Sequence, residues 1–346
     1  MKNVSTSQAF SLTKDPFPTL NWPEWVTRSL RGDCLSREEA RYILQCPDDQ
    51  ILQALQAAFE VRKVTFGRRV KLCVLQNAKS GLCPEDCHYC SQSSISTADI
   101  DKYPLMSKEQ LLEGAERAIG SKATRYCMVT SGRGPSDDEI EHFCDVTRAI
   151  KRALPLEICV CVGILSDAQA KKLKEAGVGW VNHNLNTSER YYPEICATHT
   201  YHDRVQTVQN VRKAGLLTCS GGIVGMGEAD EDILDMAYAA REIGMDSIPV
   251  NFLHPISGTP MEGFRYLTPM RCLKVLCLFR FLNPKSEIRA AGGREVNLRS
   301  LQALALYPAN SIFVEGYLTT SGQQAQEAHR MIEDMGFEIE SPKSGQ

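Results

Sequence analysis

"VKLCVLQNAKSGLCPEDCHYC", residues 70–90, begins as an apolar strand-like run and passes into a loop bearing Cys83, Cys87 and Cys90. A doubly wound sheet that binds a dinucleotide would place Gly-x-Gly-x-x-Gly after its first strand. Cysteines stand there instead. Seven more strand-like runs follow: "YCMVTSG" (126–132), "EICVCVGIL" (157–165), "WVNHNLN" (180–186), "LTCSGGIVG" (217–225), "SIPVNFL" (247–253), "EIRAAGG" (287–293) and "SIFVEGYL" (311–318). Amphipathic helical stretches separate them, such as "DDEIEHFCDVTRAIKRAL" (137–154) and "REVNLRSLQALAL" (294–306). Four of these stretches stop at Ala-Gly or Ile-Gly shortly before the next strand.

Eight strands alternating with helices predict an α/β fold, a (β/α)8 TIM-type barrel over residues 68–335, because eight parallel strands close on themselves with helices outside. Residues 1–67 read as an N-terminal helical extension, with a capping box from Ser36 to Glu39. Residues 336–346, "GFEIESPKSGQ", read as a frayed C-terminal tail.

The 346 residues carry a net charge of −3, so no excess of Lys and Arg is available for phosphates, which excludes a nucleic-acid or membrane-surface role. No apolar run is long enough to span a bilayer, and the first residues show no secretory signal, which predicts a cytoplasmic protein. Fourteen cysteines in such a chain do not form a secreted disulfide framework. Cys144, Cys272 and Cys277 sit among Leu, Val and Phe on helical patterns and read as core.

In a barrel of this kind chemistry sits at the C-terminal ends of the strands. The unusual residues fall there: Cys127, Cys159, Cys161, the "NHN" of 182–184, Cys219, Asn251 and Arg289, besides the cysteine loop. A structural zinc site would want four ligands in a closed tetrahedron. Cys-x3-Cys-x2-Cys supplies three. An iron–sulfur cube can be held by three thiolates with its fourth iron open to a small molecule, and Tyr89 supplies an aromatic neighbour for a purine.

That spacing resembles the signature of the radical S-adenosylmethionine (SAM) enzymes. "GLCPEDCHYCSQS", "VNHNLNTS", "CSGGIVGMGE", "GGRE" and "ANSIFVEGYLTT" together resemble the biotin synthase family over about residues 30–335. The resemblance implies sulfur insertion into dethiobiotin, the last step of biotin biosynthesis, by a radical that strips hydrogen from saturated carbons. It implies a [4Fe–4S] cluster on Cys83, Cys87 and Cys90 with SAM at the open iron, and a sacrificial [2Fe–2S] cluster on Cys127, Cys159, Cys219 and Arg289. Arginine offers no lone pair as a cation, so Arg289 as a ligand rests on the resemblance alone. Cys161 lies two residues from Cys159 and faces the same side. Were both to ligate, a larger auxiliary cluster would result, and the two-iron form is the expectation.

By the same resemblance Tyr89, Asn184, Asn186, Arg204 and Ile223 contact SAM, Asn184 and Asn251 flank the ureido ring of dethiobiotin, and Thr319 and Thr320 receive its carboxylate. It also implies a flavodoxin- or ferredoxin-type electron donor, iron–sulfur assembly machinery and a homodimer. Three positions depart from the family pattern. Asn186 stands where an acidic residue is usual, "TSG" (130–132) replaces a small-residue turn, and His254 replaces an apolar neighbour of adenine. These bear on SAM affinity more than on reaction type. His88 and His183 read as structural.

Overall fold

The computed structural model describes residues 21–341. The first twenty residues of the predicted extension and residues 342–346 of the predicted tail lie outside them.

Among the described residues ten strands run in chain order: β1 (Arg69–Lys79), β2 (Arg125–Thr130), β3 (Glu157–Cys161), β4 (Trp180–Asn182), β5 (Leu217–Cys219), β6 (Gly222–Val224), β7 (Ser247–Phe252), β8 (Glu287–Ala290), β9 (Ser311–Val314) and β10 (Glu338–Ile339). All pair in parallel, and β9 returns to β1 through Lys71 opposite Ser311 and Val74 opposite Val314, so the barrel closes. The run expected as one fifth strand is split into β5 and β6. At the break Gly221 passes so close to β7 that a Cβ would lie 2.0 Å from the Pro249 carbonyl oxygen, a contact only glycine permits.

Helices fill the crossovers as their periodicity predicts, and Ser107, Ser136 and Ser166 cap three of them with reciprocal hydrogen bonds. The stretch expected as one helix over 294–306 breaks instead. It is α-helical over Arg294–Leu298, and Arg299 takes φ 52° before a 3-10 segment continues to Leu306.

The extension helices Trp22–Arg31, Arg37–Gln45 and Ile51–Phe66 pack against the barrel helix Pro269–Leu282. That helix is thereby covered on both sides, which is why Cys272 and Cys277 are buried in it.

The stretch after residue 335 does not simply fray. Phe337 is buried, and Glu338 and Ile339 pair with Arg69 and Val70 at the start of β1. An apolar Phe-x-Ile pattern in a short tail outweighs its terminal position.

The N-terminal end of the barrel is floored by charge. Arg125 binds Glu287 through both terminal nitrogens at 2.9 and 3.0 Å. Lys71 reaches Glu157 at 3.1 Å and Glu340, beside β10, at 3.3 Å. Arg125 also stacks 3.7 Å from the centre of the Trp180 ring.

Candidate active site

The loop after β1 is folded by its own backbone: the Cys90 N–H donates to Cys87 O at 3.1 Å and Ser94 N–H to Glu85 O at 2.8 Å. His88 N–H anchors it to Ile195 O at 3.0 Å. Cys83, Cys87 and Cys90 thereby line a cavity of about 370 Å³ at the C-terminal mouth of the barrel. Burial raises the pKa of Cys83, and pushes Cys90 up to about 11. A hydrogen bond to Cys196, at 3.8 Å, and burial raise that of Cys87. All three therefore hold their protons until a cation replaces them.

The other expected SAM and substrate residues line the same cavity: Tyr89, Asn184, Asn186, Arg204, Ile223, Asn251, Thr319 and Thr320. Asn186 adopts φ 71°, a conformation asparagine tolerates, and its Nδ2 donates to the Tyr89 hydroxyl at 2.6 Å. Its Oδ1 remains as an acceptor. Asn184 Oδ1 accepts from Asn182 Nδ2 and Gly221 N–H, both at 3.2 Å, which leaves the Nδ2 hydrogens for a ligand. Asn251 ties Gly222 O to Gly292 N–H at 3.0 and 2.9 Å.

Arg204 is not a solvated helix charge. Its Nη1 donates to Asn184 O at 2.9 Å, its Nη2 to His199 Nε2 at 2.8 Å, and its Nε to the Tyr192 hydroxyl. Thr319 shares a hydrogen bond of 2.7 Å with Ser91 at the rim. His183 also lines the cavity, with its Nε2 buried and without a partner among the described residues. Burial, with Arg204 and His199 nearby, holds this imidazole neutral.

A second cavity of about 170 Å³ lies deeper, lined by Cys127, Cys159, Cys161, Cys219 and Arg289. Sheet register assembles it. Cys127 is opposite Cys159 across β2 and β3, while Cys219 is opposite Asn182 across β5 and β4. The Cys159 thiol shares the cavity wall with Cys127 and Cys219, and these neighbours together with burial raise its pKa. Cys159 beside it, with Arg289, Arg125 and Asn182 assisting, draws the Cys219 thiol below its ordinary pKa against burial. Asn182 Nδ2 donates to Cys219 Sγ at 3.3 Å. Cys161 faces the same side and lines both cavities, as do Asn182, Asn184 and Asn251.

Arg289 is held on three sides. Its Nε donates to Ser311 at 3.0 Å and its Nη2 to Glu287 and Ser247, and its guanidinium lies 4.7 Å from the Phe313 ring centre. Only Nη1 is left toward the thiols, 3.6 Å from Cys219 Sγ. Burial disfavours the charge, but Cys73, Glu287 and Cys219 outweigh it and keep the guanidinium protonated, so ligation by nitrogen requires that proton to leave.

Sequence reasoning overlooked Cys73, a buried thiol on β1 that lies 3.7 Å from Ser311, and the trio Glu287, Ser247 and Ser311 around Arg289. It also overlooked Glu85, Cys196 and His199 beside the cysteine loop. The inward alternation of β1 marks Cys73, and "ICATHT" (195–200) places a thiol three residues before an imidazole.

A closed eight-stranded barrel with a three-thiol loop at its mouth and a second thiol set within defines a radical SAM enzyme with an auxiliary cluster. Residues 79–239 match the radical SAM superfamily model, and residues 249–338 match the biotin and thiamin synthesis associated domain. The chain is 55% identical to the biotin synthase of Bacillus licheniformis over 92% of its own length and 96% of that protein. It is 54% identical to the biotin synthase of Bacillus subtilis strain 168 with the same coverage. The fold is similar to methylornithine synthase (TM-score 0.80, 20% identity, 92% of this chain and 98% of that one). It is also similar to the FeFe-hydrogenase maturase of Carboxydothermus hydrogenoformans (TM-score 0.77, 18% identity, 92% and 79%).

The chain belongs to the biotin synthase family. It is a radical SAM sulfurtransferase, and its cofactors are a [4Fe–4S] and a [2Fe–2S] cluster. Among the described residues no helix is long and apolar enough to cross a membrane.

Proposed function

We propose that the two cavities are two halves of one active site for the family's reaction, sulfur insertion that turns dethiobiotin into biotin. When bound, the [4Fe–4S] cluster and SAM supply one-electron chemistry that removes hydrogen from saturated carbon, and the [2Fe–2S] cluster supplies sulfide. The chain's part is to hold, orient and exclude water.

Cys83, Cys87 and Cys90 hold the cube, and the loop offers no fourth cysteine. Cys127, Cys159 and Cys219 hold the auxiliary cluster together with Arg289, whose Nη1 is the nitrogen turned toward the sulfurs. Tyr89 and Ile223 pack on the adenine, and Asn186 Oδ1 accepts from a ribose hydroxyl in place of a carboxylate. Arg204 receives the SAM carboxylate through its guanidinium fork. Asn184 Nδ2 donates to the ureido carbonyl of dethiobiotin, Asn251 lies at the ring's other side, and Thr319 and Thr320 take the carboxylate at the rim. His254 lines the same wall.

The supporting observation is the shared wall. A molecule seated against Asn184, Asn251 and Cys161 touches both cavities, so carbon and sulfide are brought together without movement of the barrel. Residues 68–335 carry the chemistry, and the extension helices from Trp22 to Phe66 brace the barrel from outside. A cytoplasmic homodimer served by a flavodoxin- or ferredoxin-type donor and by iron–sulfur assembly proteins completes the reading.

Anaerobic reconstitution with iron, sulfide, SAM, dithionite and dethiobiotin tests it. Expected are biotin, 5′-deoxyadenosine and two kinds of iron centre in Mössbauer spectra. Deoxyadenosine without biotin would mark a sibling radical enzyme instead, and no SAM cleavage would mark an electron carrier.

A further inference from the structure

Beside the cysteine loop, three metal-binding side chains converge that the reaction does not use as a set. Cys87, Cys196 and His199 present ligand atoms all within 4.8 Å of one another, and all three residues are buried. The Cys87 and Cys196 sulfurs are 3.8 Å apart. Cys196 Sγ lies 3.3 Å from His199 Nδ1 and 3.9 Å from Nε2. A tetrahedral zinc ion with Zn–S bonds of about 2.3 Å and a Zn–N bond of about 2.0 Å separates two sulfurs by about 3.8 Å, and a sulfur from a nitrogen by about 3.5 Å. The sulfur–sulfur edge of such a tetrahedron is already in place, and Cys196 Sγ, nearer Nδ1 than Nε2, turns toward Nε2 to close the other.

The surroundings are those of a built site. Arg204 can only donate, so His199 Nε2, which it contacts at 2.8 Å, is the unprotonated nitrogen, and Nδ1–H donates to Glu85. A carboxylate behind one imidazole nitrogen, with the lone pair of the other facing a cation, is the arrangement that orients histidine on zinc. Glu85 is itself fixed by the Thr198 hydroxyl at 2.6 Å and Arg133 at 3.3 Å. Asp86, one residue before Cys87, accepts from the backbone N–H groups of Ala197 and Thr198 at 3.0 and 3.1 Å and from the Cys196 thiol at 3.2 Å. The turn that carries Cys196 is thus clamped onto the loop that carries Cys87.

We propose that Cys87, Cys196 and His199 form a binding site for a thiophilic divalent cation of zinc type, available only while Cys87 is free of the cube. The cation takes the place of Arg204 at Nε2, the two thiols each release a proton to solvent, and water fills the fourth position. The two occupations of Cys87 exclude one another, so a chain that has taken zinc cannot complete the [4Fe–4S] cluster. This last consequence rests on the assignment of Cys87 to the cube, whereas the cation site itself does not.

The test is cobalt(II) titration of the full-length chain isolated without clusters, read by thiolate-to-cobalt absorption and the d–d bands of four-coordinate cobalt. The wild type is expected to bind one more cobalt than the Cys196→Ser variant, whose affinity at this site falls by more than about tenfold. The Cys83→Ser/Cys90→Ser double variant is expected to keep that cobalt. Unchanged stoichiometry and affinity in Cys196→Ser, or loss of the signal in the double variant, overturns the site. In a second arm, equimolar zinc is added before iron and sulfide. Cube formation is expected to be suppressed in the wild type and spared in Cys196→Ser. If the cobalt result stands and zinc suppresses neither protein, the exclusion is wrong and with it the placing of Cys87 on the cube.

Discussion

The two thiol sets of this barrel are built in opposite ways. The outer set is contiguous in sequence, hung on one loop whose turns are closed by its own backbone and tethered at Ile195. The inner set has no sequence motif. It exists because β2, β3 and β5 register so that Cys127, Cys159 and Cys219 face one point, with Arg289 brought from β8. A loop can open its ligands to a molecule that comes and goes. A strand set fixes its ligands as firmly as the sheet itself, and suits a centre that must be rebuilt in one place after its sulfur is spent.

The sharpest way to break this contrast is to remove one thiol from each set. Cys83→Ala is expected to lower both deoxyadenosine and biotin formation by at least about 100-fold, since even outer partners of a metal ligand are worth 10- to 100-fold. Cys219→Ala is expected to abolish biotin while deoxyadenosine is still released, with only the [4Fe–4S] signature left in Mössbauer spectra. Equal loss of both products in the two variants would erase the distinction.

Next in size is the floor. Glu287→Gln leaves Arg289 buried without its carboxylate and Arg125 with Glu157 alone, which should cost about 3–5 kcal/mol in urea unfolding. It should also lower the [2Fe–2S] content while sparing the outer cluster, because only the inner set leans on Glu287.

Acid should separate the regions in the reverse sense. Burial pushes the Asp86 carboxyl up, but hydrogen bonds from Cys196, Ala197 and Thr198 win and bring it from 3.8 to about 2. Its folded value lies below its unfolded one, so its stabilisation is complete above pH 4 and is lost as pH falls through 2. Hydrogen exchange of the 195–200 segment should rise over that window, and Asp86→Asn should show faster exchange already at pH 7.

The smallest effect is expected at Asn182→Ala, which removes one hydrogen bond to Cys219 Sγ worth about 1 kcal/mol. Auxiliary-cluster loss on dilution should quicken by about fivefold.

Much of this was legible beforehand. The alternation of strand and helix gave the barrel, and Cys-x3-Cys-x2-Cys spoke for itself because its spacing is a local property. The cage around Arg289 was not legible. Ser247, Glu287 and Ser311 reach it because β7, β8 and β9 align Ser247 with Glu287 and Arg289 with Ser311, and register across a barrel is set by closure, not by spacing. Cys196 went unread for a similar reason, since its partner is 109 residues earlier in the chain. The split of β5 from β6 follows from the close approach of Gly221 to Pro249, which no periodicity encodes, and nothing in the helical pattern marks the positive φ at Arg299.

The floor of ion pairs between Lys71, Arg125, Glu157, Glu287 and Glu340, with β10 laid against β1, turns the barrel into a blind tube. Whatever replenishes the deeper chamber must then travel in through the mouth and past the seats proposed above for SAM and dethiobiotin. Repair and reaction therefore take turns in a single passage, and a molecule that lingers there delays the next cycle by standing in the doorway.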